Sequence, residues 1–274
     1  MNVRFSEYQP AVPLRAFVQS FWIGDFNVNS ENNFQQAVIP NGCVELIIHL
    51  TNDHCELVKE DSWNKSPEFT LIGLQTKSYN VKFNDLVKVF GIRFNPEGIY
   101  NIFGVPPSYF TSTFEDSKDV LGVDFDDYCS RLRELKSVEE QIELTENYLF
   151  EKLRKALTVG IDYIKIASGI IRRHHGLITL DDLIKQIPIG ARQLQREFKN
   201  KFGITAKEYM RLSRLNAIQN YMQTNTAINL TALTYEQGFS DQSHFTKEFK
   251  MLTGVNPKKF LNSRQDFIVI PPND

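Results

Sequence analysis

Residues 194–209 read LQREFKNKFGITAKEY, and residues 245–260 read FTKEFKMLTGVNPKKF. An offset of 51 superposes Arg196 on Lys247, Glu197 on Glu248, Phe198 on Phe249, Lys199 on Lys250, Gly203 on Gly254, Lys207 on Lys258 and Tyr209 on Phe260. A match this dense means that one structural unit occurs twice in the chain. Ahead of the first copy, Leu180, Leu183, Ile184 and Ile187 follow i, i+3, i+4, i+7 behind a candidate N-cap, Thr179. Ahead of the second, Leu230, Leu233, Thr234 and Gln237 hold the same phase behind Asn229. Tight turns follow at Pro188-Ile-Gly190 and Gly238-Phe-Ser240, then a second helix that ends at Gly203 or Gly254, the expected C-terminal glycine. Short helix, turn with glycine, second helix is the order of a helix-turn-helix.

The second helix of each copy carries the chemistry. In copy one Leu194, Phe198 and Phe202 make a buried stripe and leave Arg192, Gln195, Arg196 and Lys199 on the other side. In copy two Phe245, Phe249 and Leu252 are inward, and Ser243, Thr246, Lys247 and Lys250 are outward. Arginine forks onto guanine, glutamine onto adenine, and an outlying lysine holds phosphate. One such helix alone reads as a solvated face; two phase-matched copies in a basic segment read as a nucleic-acid interface. Between them, Ala206 to Met222, with Tyr209, Leu212, Leu215, Ile218 and Met222 inward, predicts one connecting helix of roughly 25 Å. With the helix widths added, that strut suits two reading helices about one DNA turn, ~34 Å, apart. A single chain is thereby expected to read two successive major-groove segments.

The charge distribution agrees. The 274 residues hold 31 Lys and Arg against 33 Asp and Glu. Residues 1–160 carry a balance of −8 and residues 161–267 one of +7, so an acidic half precedes a basic one. With 42% apolar residues a disordered chain is excluded. No apolar run approaches the ~20 residues of a membrane span and the N-terminus lacks a signal peptide's basic and apolar regions, so a cytoplasmic protein without a membrane partner is expected. Cys43, Cys55 and Cys129 show no CxxC spacing, so neither a disulfide frame nor a thiolate zinc site is expected.

The acidic half reads differently. Cys43–Leu50 and Val87–Phe94 are β-branched and aromatic runs, bounded by turn signals at Pro40-Asn-Gly42 and Asn95-Pro-Glu-Gly98. Val44, Leu46, Ile48 and Leu50 point one way and Cys43, Glu45, Ile47 and His49 the other, as in a barrel or sandwich strand with a core face and a mixed face. Ser137-Val-Glu-Glu140 is a capping box opening a helix whose stripe is Val138, Ile142, Thr145, Leu149 and Leu153. The expected fold is α+β and multidomain: a β-rich barrel with helices over 1–158, an all-α domain of two helix-turn-helix motifs joined by a long helix over 159–265, and a tail, 266–274.

Leu233-Thr-Tyr-Glu-Gln-Gly-Phe-Ser-Asp-Gln-Ser-His-Phe-Thr-Lys-Glu-Phe-Lys250, with Gly254 and Pro257, resembles the signature of the AraC/XylS family of bacterial transcription regulators, and the resemblance covers about residues 160–262. It places base-facing positions at Arg192, Gln195, Arg196, Ser243, Thr246 and Lys247, with Gln242 and His244 close by, and backbone contacts at Lys199 and Lys250. Ile184 and Thr234 stand where the family usually has alanine, Pro188 replaces a turn glycine and Gly190 a capping serine. A less regular first motif follows, its weaker cap costing only a few tenths of a kcal/mol. Tyr8-Gln-Pro, Phe17-Val-Gln-Ser-Phe-Trp22, Ile39–Ile47 and Gly91–Gly98 are similar to a β-rich domain often fused to such motifs. The resemblance implies a cupin-like effector and dimerisation domain, and as partners promoter DNA, a small-molecule effector, a second copy of the chain and RNA polymerase.

Trp22, Glu45, His49 and Arg93 are the candidate ligand pocket; the alternative is a structural Glu45–Arg93 ion pair beside a core tryptophan. Metal binding by His49, His54 and Cys55 is disfavoured, because a continued strand would put the two histidines on opposite faces. The competing function is a DNA-repair or other nucleic-acid enzyme delivered by the basic half, with Cys43 as an alkyl acceptor. No GxSxG, HExxH, Walker or deaminase spacing supports it, and neither a cofactor nor a catalytic residue is expected.

Overall fold

The computed structural model describes residues 2–27, 34–59, 62–83, 86–156, 162–262 and 267–268. They cluster into two compact units, Met1–Gln35 with Cys43–Leu74 and Asn80–Gly160, and Gln36–Gly42 with Gln75–Tyr79 and Ile161–Asp274. The expected boundary at 158–159 lies outside the described residues, as does most of the tail.

Among the described residues nine strands come first, β1 (Asn2–Tyr8), β2 (Val18–Asn27), β3 (Phe34–Val38), β4 (Val44–His49), β5 (Glu56–Lys59), β6 (Ser62–Lys65), β7 (Phe69–Ile72), β8 (Tyr79–Phe83) and β9 (Leu86–Phe94), and a short β10 (Phe114–Asp116) follows the first helix. Phe267–Ile268 adds β11, parallel to β3. One sheet has the order β1-β2-β9-β4-β7-β10 and the other β11-β3-β8-β5-β6. The expected closed barrel is therefore corrected to two open sheets. The larger sheet has unlike edges, a seven-residue β1 and a three-residue β10, which offer too few matched groups for closure. Both faces of β4 are largely buried: Val44, Leu46 and Ile48 on one, Glu45 and His49 on the other, with Ile47 half-buried.

The described helices of the first unit are α1 (Pro96–Phe103), between β9 and β10, and α2 (Ser117–Leu121), α3 (Val123–Glu134) and α4 (Val138–Lys155) after β10. The Ser137–Glu140 capping box forms as expected. The inward face of α4 is turned from the expected stripe: Gln141, Thr145 and Leu149 are buried, whereas Val138, Ile142 and Leu153 are only half-buried. Polar partners explain the turn, since Gln141 donates to the Leu135 carbonyl and Thr145 shares a 2.7 Å hydrogen bond with Tyr128.

The second unit holds α5 (Tyr163–Arg173), α6 (Leu180–Lys185), α7 (Ala191–Phe202), α8 (Ala206–Thr224), α9 (Leu230–Glu236), α10 (Gln242–Thr253) and α11 (Pro257–Asn262). α8 is the connecting helix, 19 residues or about 28 Å long, with the five expected residues buried. Its Thr205–Glu208 capping box adds a start signal that the sequence reading did not use. Among the described residues no helix is long and apolar enough to cross a membrane.

Candidate nucleic-acid interface

The two copies pack alike. Leu194, Phe198 and Phe202 of α7 are fully buried, as are Phe245 and Phe249 of α10, with Leu252 nearly so. Phe198 meets Tyr209 at 6.0 Å between ring centroids, and its counterpart Phe249 meets Phe260 at 5.5 Å. Fixing these rings inward forces the opposite side of each helix outward. Arg192, Gln195, Arg196 and Lys199 are exposed on α7, and Gln242, Ser243, His244, Lys247 and Lys250 on α10. Thr246 is half-buried, at the margin of that face. Arg196 keeps a loose 3.5 Å pair with its neighbour Glu197, while Lys199 donates to the Gly203 carbonyl at 2.6 Å and so caps its own helix.

The entries to the helices differ between the copies. Thr179 accepts from the Asp182 N–H, and Asn229 from the N–H groups of Thr231 and Ala232, as expected. Asp241 caps α10 through the His244 N–H, and that bond with the Ser240 hydroxyl holds its carboxyl below the usual carboxylate range. Gly190 gives α7 no side-chain cap. The α10 turn passes through Gly238 at φ 70°, whereas Gly190, in the α7 turn, has φ −75°. α6 has six residues and α9 seven, so the offset of 51 between second helices becomes 50 between first ones. Thr234 is fully buried and donates to the Leu230 carbonyl at 2.7 Å, which satisfies its hydroxyl where alanine is usual.

An open cleft of about 830 Å³ runs along Ala227–Thr231, Gln242 and Lys258. It brings a lysine and the starts of α9 and α10 to one side, an arrangement suited to a sugar–phosphate strand. The sequence reading also missed a group on the flank of α10: Arg211 and Arg214 of α8 converge with His244 on Glu248. The i, i+4 spacing of His244 and Glu248 was visible, but the arrival of two arginines from α8 depends on packing.

The structure divides the candidate ligand pocket. Glu45 and Arg93 are direct register partners on β4 and β9, and the guanidinium is fully buried. It donates to Glu45 at 3.0 Å through Nε, and through Nη1 to Glu7 at 2.5 Å and Ser20 at 3.0 Å. Burial alone would depress its pKa, but Glu45 and Glu7 outweigh that and raise it. Trp22 lies on the same face over Gly91, where a Cβ would fall 1.9 Å from its ring. Arg93 Nη2 and Trp22 Nε1 are buried and have no hydrogen-bond partner among the described residues.

His49 belongs to a separate cluster. β4 ends there and the chain turns back, so the His49 and His54 rings stack at 4.4 Å instead of facing apart, which corrects the expectation from a continued strand. His49 Nδ1 donates to the Glu68 carbonyl at 3.1 Å, leaving Nε2 to accept from Ser66 at 3.2 Å. Burial first, then His54, Arg133 and Lys65, push the His49 pKa down to about 3; burial pushes the Cys55 thiol up to about 11. Cys43, the proposed alkyl acceptor, is buried with its thiol donating to Gln19 at 2.9 Å.

Residues 6–125 match the profile of a domain of unknown function, and residues 183–263 that of a helix-turn-helix domain. The Msm operon regulatory protein of Streptococcus mutans is 25% identical over 124 residues, 45% of this chain and 44% of that protein. The transcriptional activator RhaS of Escherichia coli is 28% identical over 91 residues, 33% of this chain and 32% of its own. The chain thus spans less than half the length of these curated relatives. A structure of ToxT from Vibrio cholerae superposes with a TM-score of 0.50 at 13% identity, over 88% of this chain and 98% of the other, and shares the fold.

Proposed function

Given that residues 183–263 match a helix-turn-helix domain, behind a domain of unknown function, we propose that the chain is a sequence-specific transcription regulator of the cytoplasm, of the AraC type. α7 and α10 read successive major-groove segments, with Arg192, Gln195, Arg196, Ser243, Thr246 and Lys247 toward bases, Gln242 and His244 beside them, and Lys199 and Lys250 toward phosphate. The observation that carries this reading is the pair of phase-matched helices, each locked by buried aromatics so that its polar stripe faces out. Selection from a randomised 40-base-pair duplex pool, followed by footprinting, tests it. Two protected patches about one helical turn apart are expected. A single patch, or no enrichment, overturns it.

Base-reading and phosphate-holding roles separate in mutants. Arg196→Ala is expected to cost about 1–3 kcal/mol on the enriched duplex and to relax preference at one or two base pairs. Lys250→Ala weakens all duplexes alike and lowers the salt slope by about 1. Titrations at several salt concentrations on enriched and scrambled duplexes distinguish them; equal losses on both duplexes for Arg196→Ala remove its base-reading role.

The first unit tunes this binding, through a small ligand or through dimerisation, and RNA polymerase is the downstream partner. The two buried donors without a partner among the described residues, Arg93 Nη2 and Trp22 Nε1, support a ligand that accepts hydrogen bonds on this face. Glu7 and Glu45 leave the cluster net negative, which favours a neutral hydroxyl or carbonyl over an anion. ToxT, by contrast, has been seen with (E)-4-(8-methylnaphthalen-1-yl)but-3-enoic acid bound. Neutral sugars and polyols are therefore expected to shift Trp22 fluorescence in a Trp63→Phe background. A shift produced by small carboxylates alone would reverse the ligand class.

A further inference from the structure

Glu248 lies on the flank of α10, between its buried and exposed stripes, with its side chain 13% exposed. Its Oε1 is 3.4 Å from Arg211 Nε and 3.5 Å from His244 Nε2, and its Oε2 is 3.4 Å from Arg214 Nη2. Arg214 also covers the Phe239 ring, its guanidinium carbon 4.4 Å from the centroid. Phe239 in turn meets Phe245 at 5.3 Å and the His244 ring edge-on at 5.4 Å. One carboxylate thereby gathers α8, the turn and α10 into a single assembly.

Both His244 ring nitrogens face the protein, Nε2 toward Glu248 and Nδ1 toward Ser240 Oγ at 3.4 Å. The counterpart of Glu248 in copy one, Glu197, instead pairs with its sequence neighbour Arg196. An exposed pair of that kind is worth little, whereas a shielded carboxylate shared by two arginines holds geometry.

We propose that Glu248, acting through Arg211, Arg214 and His244, is a positioning residue that sets the pose of α10 on DNA, so that reading of the second half-site depends on a carboxylate that touches no base. The inference rests on the regulator reading above. His244 then serves by holding the helix in place, and the groups that reach bases are Gln242, Ser243, Thr246 and Lys247.

The test uses the full chain and a duplex enriched from the randomised pool by the wild type. Glu248→Gln is expected to weaken that duplex roughly tenfold and to erase protection over the α10 patch alone, with no loss on a duplex whose α10 patch is scrambled. Arg214→Gln should do the same, and the double variant should be no worse than either single one, since both remove one interaction. Glu248→Asp, which keeps the charge, should recover part of the α10 patch. If Glu248→Gln does not fold, as circular dichroism would reveal, Arg211→Gln and Arg214→Gln must still act on the α10 patch only. Additive losses, equal losses on both duplexes, or tighter binding on removal of the negative charge would each overturn the proposal. Failure of the wild type to enrich any sequence would instead defeat the regulator reading itself.

Discussion

Acidification from pH 6.5 to pH 4 is expected to remove about 3 kcal/mol of stability from the first unit through His49 alone, at roughly 1.4 kcal/mol for each unit of pH. The folded protein keeps this imidazole neutral down to about pH 3, because it is buried and faces His54, Arg133 and Lys65. In the unfolded chain it takes up a proton near pH 6.5. Between these values the unfolded state binds more protons, so stability rises with pH and is lost as pH falls. Against a total of ~5–15 kcal/mol for an ordinary domain, such a loss is large. Urea titrations at pH 7, 5.5 and 4 measure it, and His49→Gln should flatten the dependence by that amount whatever its effect at pH 7. An unchanged slope in the variant would show that His49 is not kept neutral.

Arg93→Leu is expected to destabilise the same unit by about 3–5 kcal/mol, because it leaves Glu45 buried without its cation. Glu7 suffers less, since its side chain retains 21% exposure. Arg93→Leu combined with Glu45→Leu should recover much of the loss, as apolar replacement of a whole buried pair is often neutral. Denaturation midpoints of the three proteins decide the matter. A double variant as unstable as the single one would mean that the guanidinium is needed for its bonds to Glu7 and Ser20, not as counter-charge to Glu45.

The helical half was readable in the sequence because its signals are local. Cap residues, a helix period and a repeated stripe each act within one turn or two of chain, and Thr179, Asn229, Phe198 and Phe249 all do what their spacing implied. The β-rich half depends on neighbours distant in sequence. The alternation in β4 gave its two faces but not that both would be largely covered, and the Glu45–Arg93 ion pair beside a core Trp22, the alternative to a ligand pocket, is what forms. His49 and His54 were misjudged because strand alternation was carried past the residue where the chain turns. In α4 the expected apolar stripe is only partly buried, because Gln141 bonds the Leu135 carbonyl and Thr145 bonds Tyr128 of α3 on the side that faces in. Arg211 and Arg214 carry no pattern that marks them, since their role exists only once α8 and α10 are packed.

The shorter α6, the glycine start of α7 and the carboxylate staple on α10 make the two helix-turn-helix copies unequal members of one polypeptide. A molecule with a distinguishable front and back gives its binding site an arrow. On the proposed reading, reversing that site in place, without altering a base within it, is expected to turn the bound protein to face the other way along the duplex.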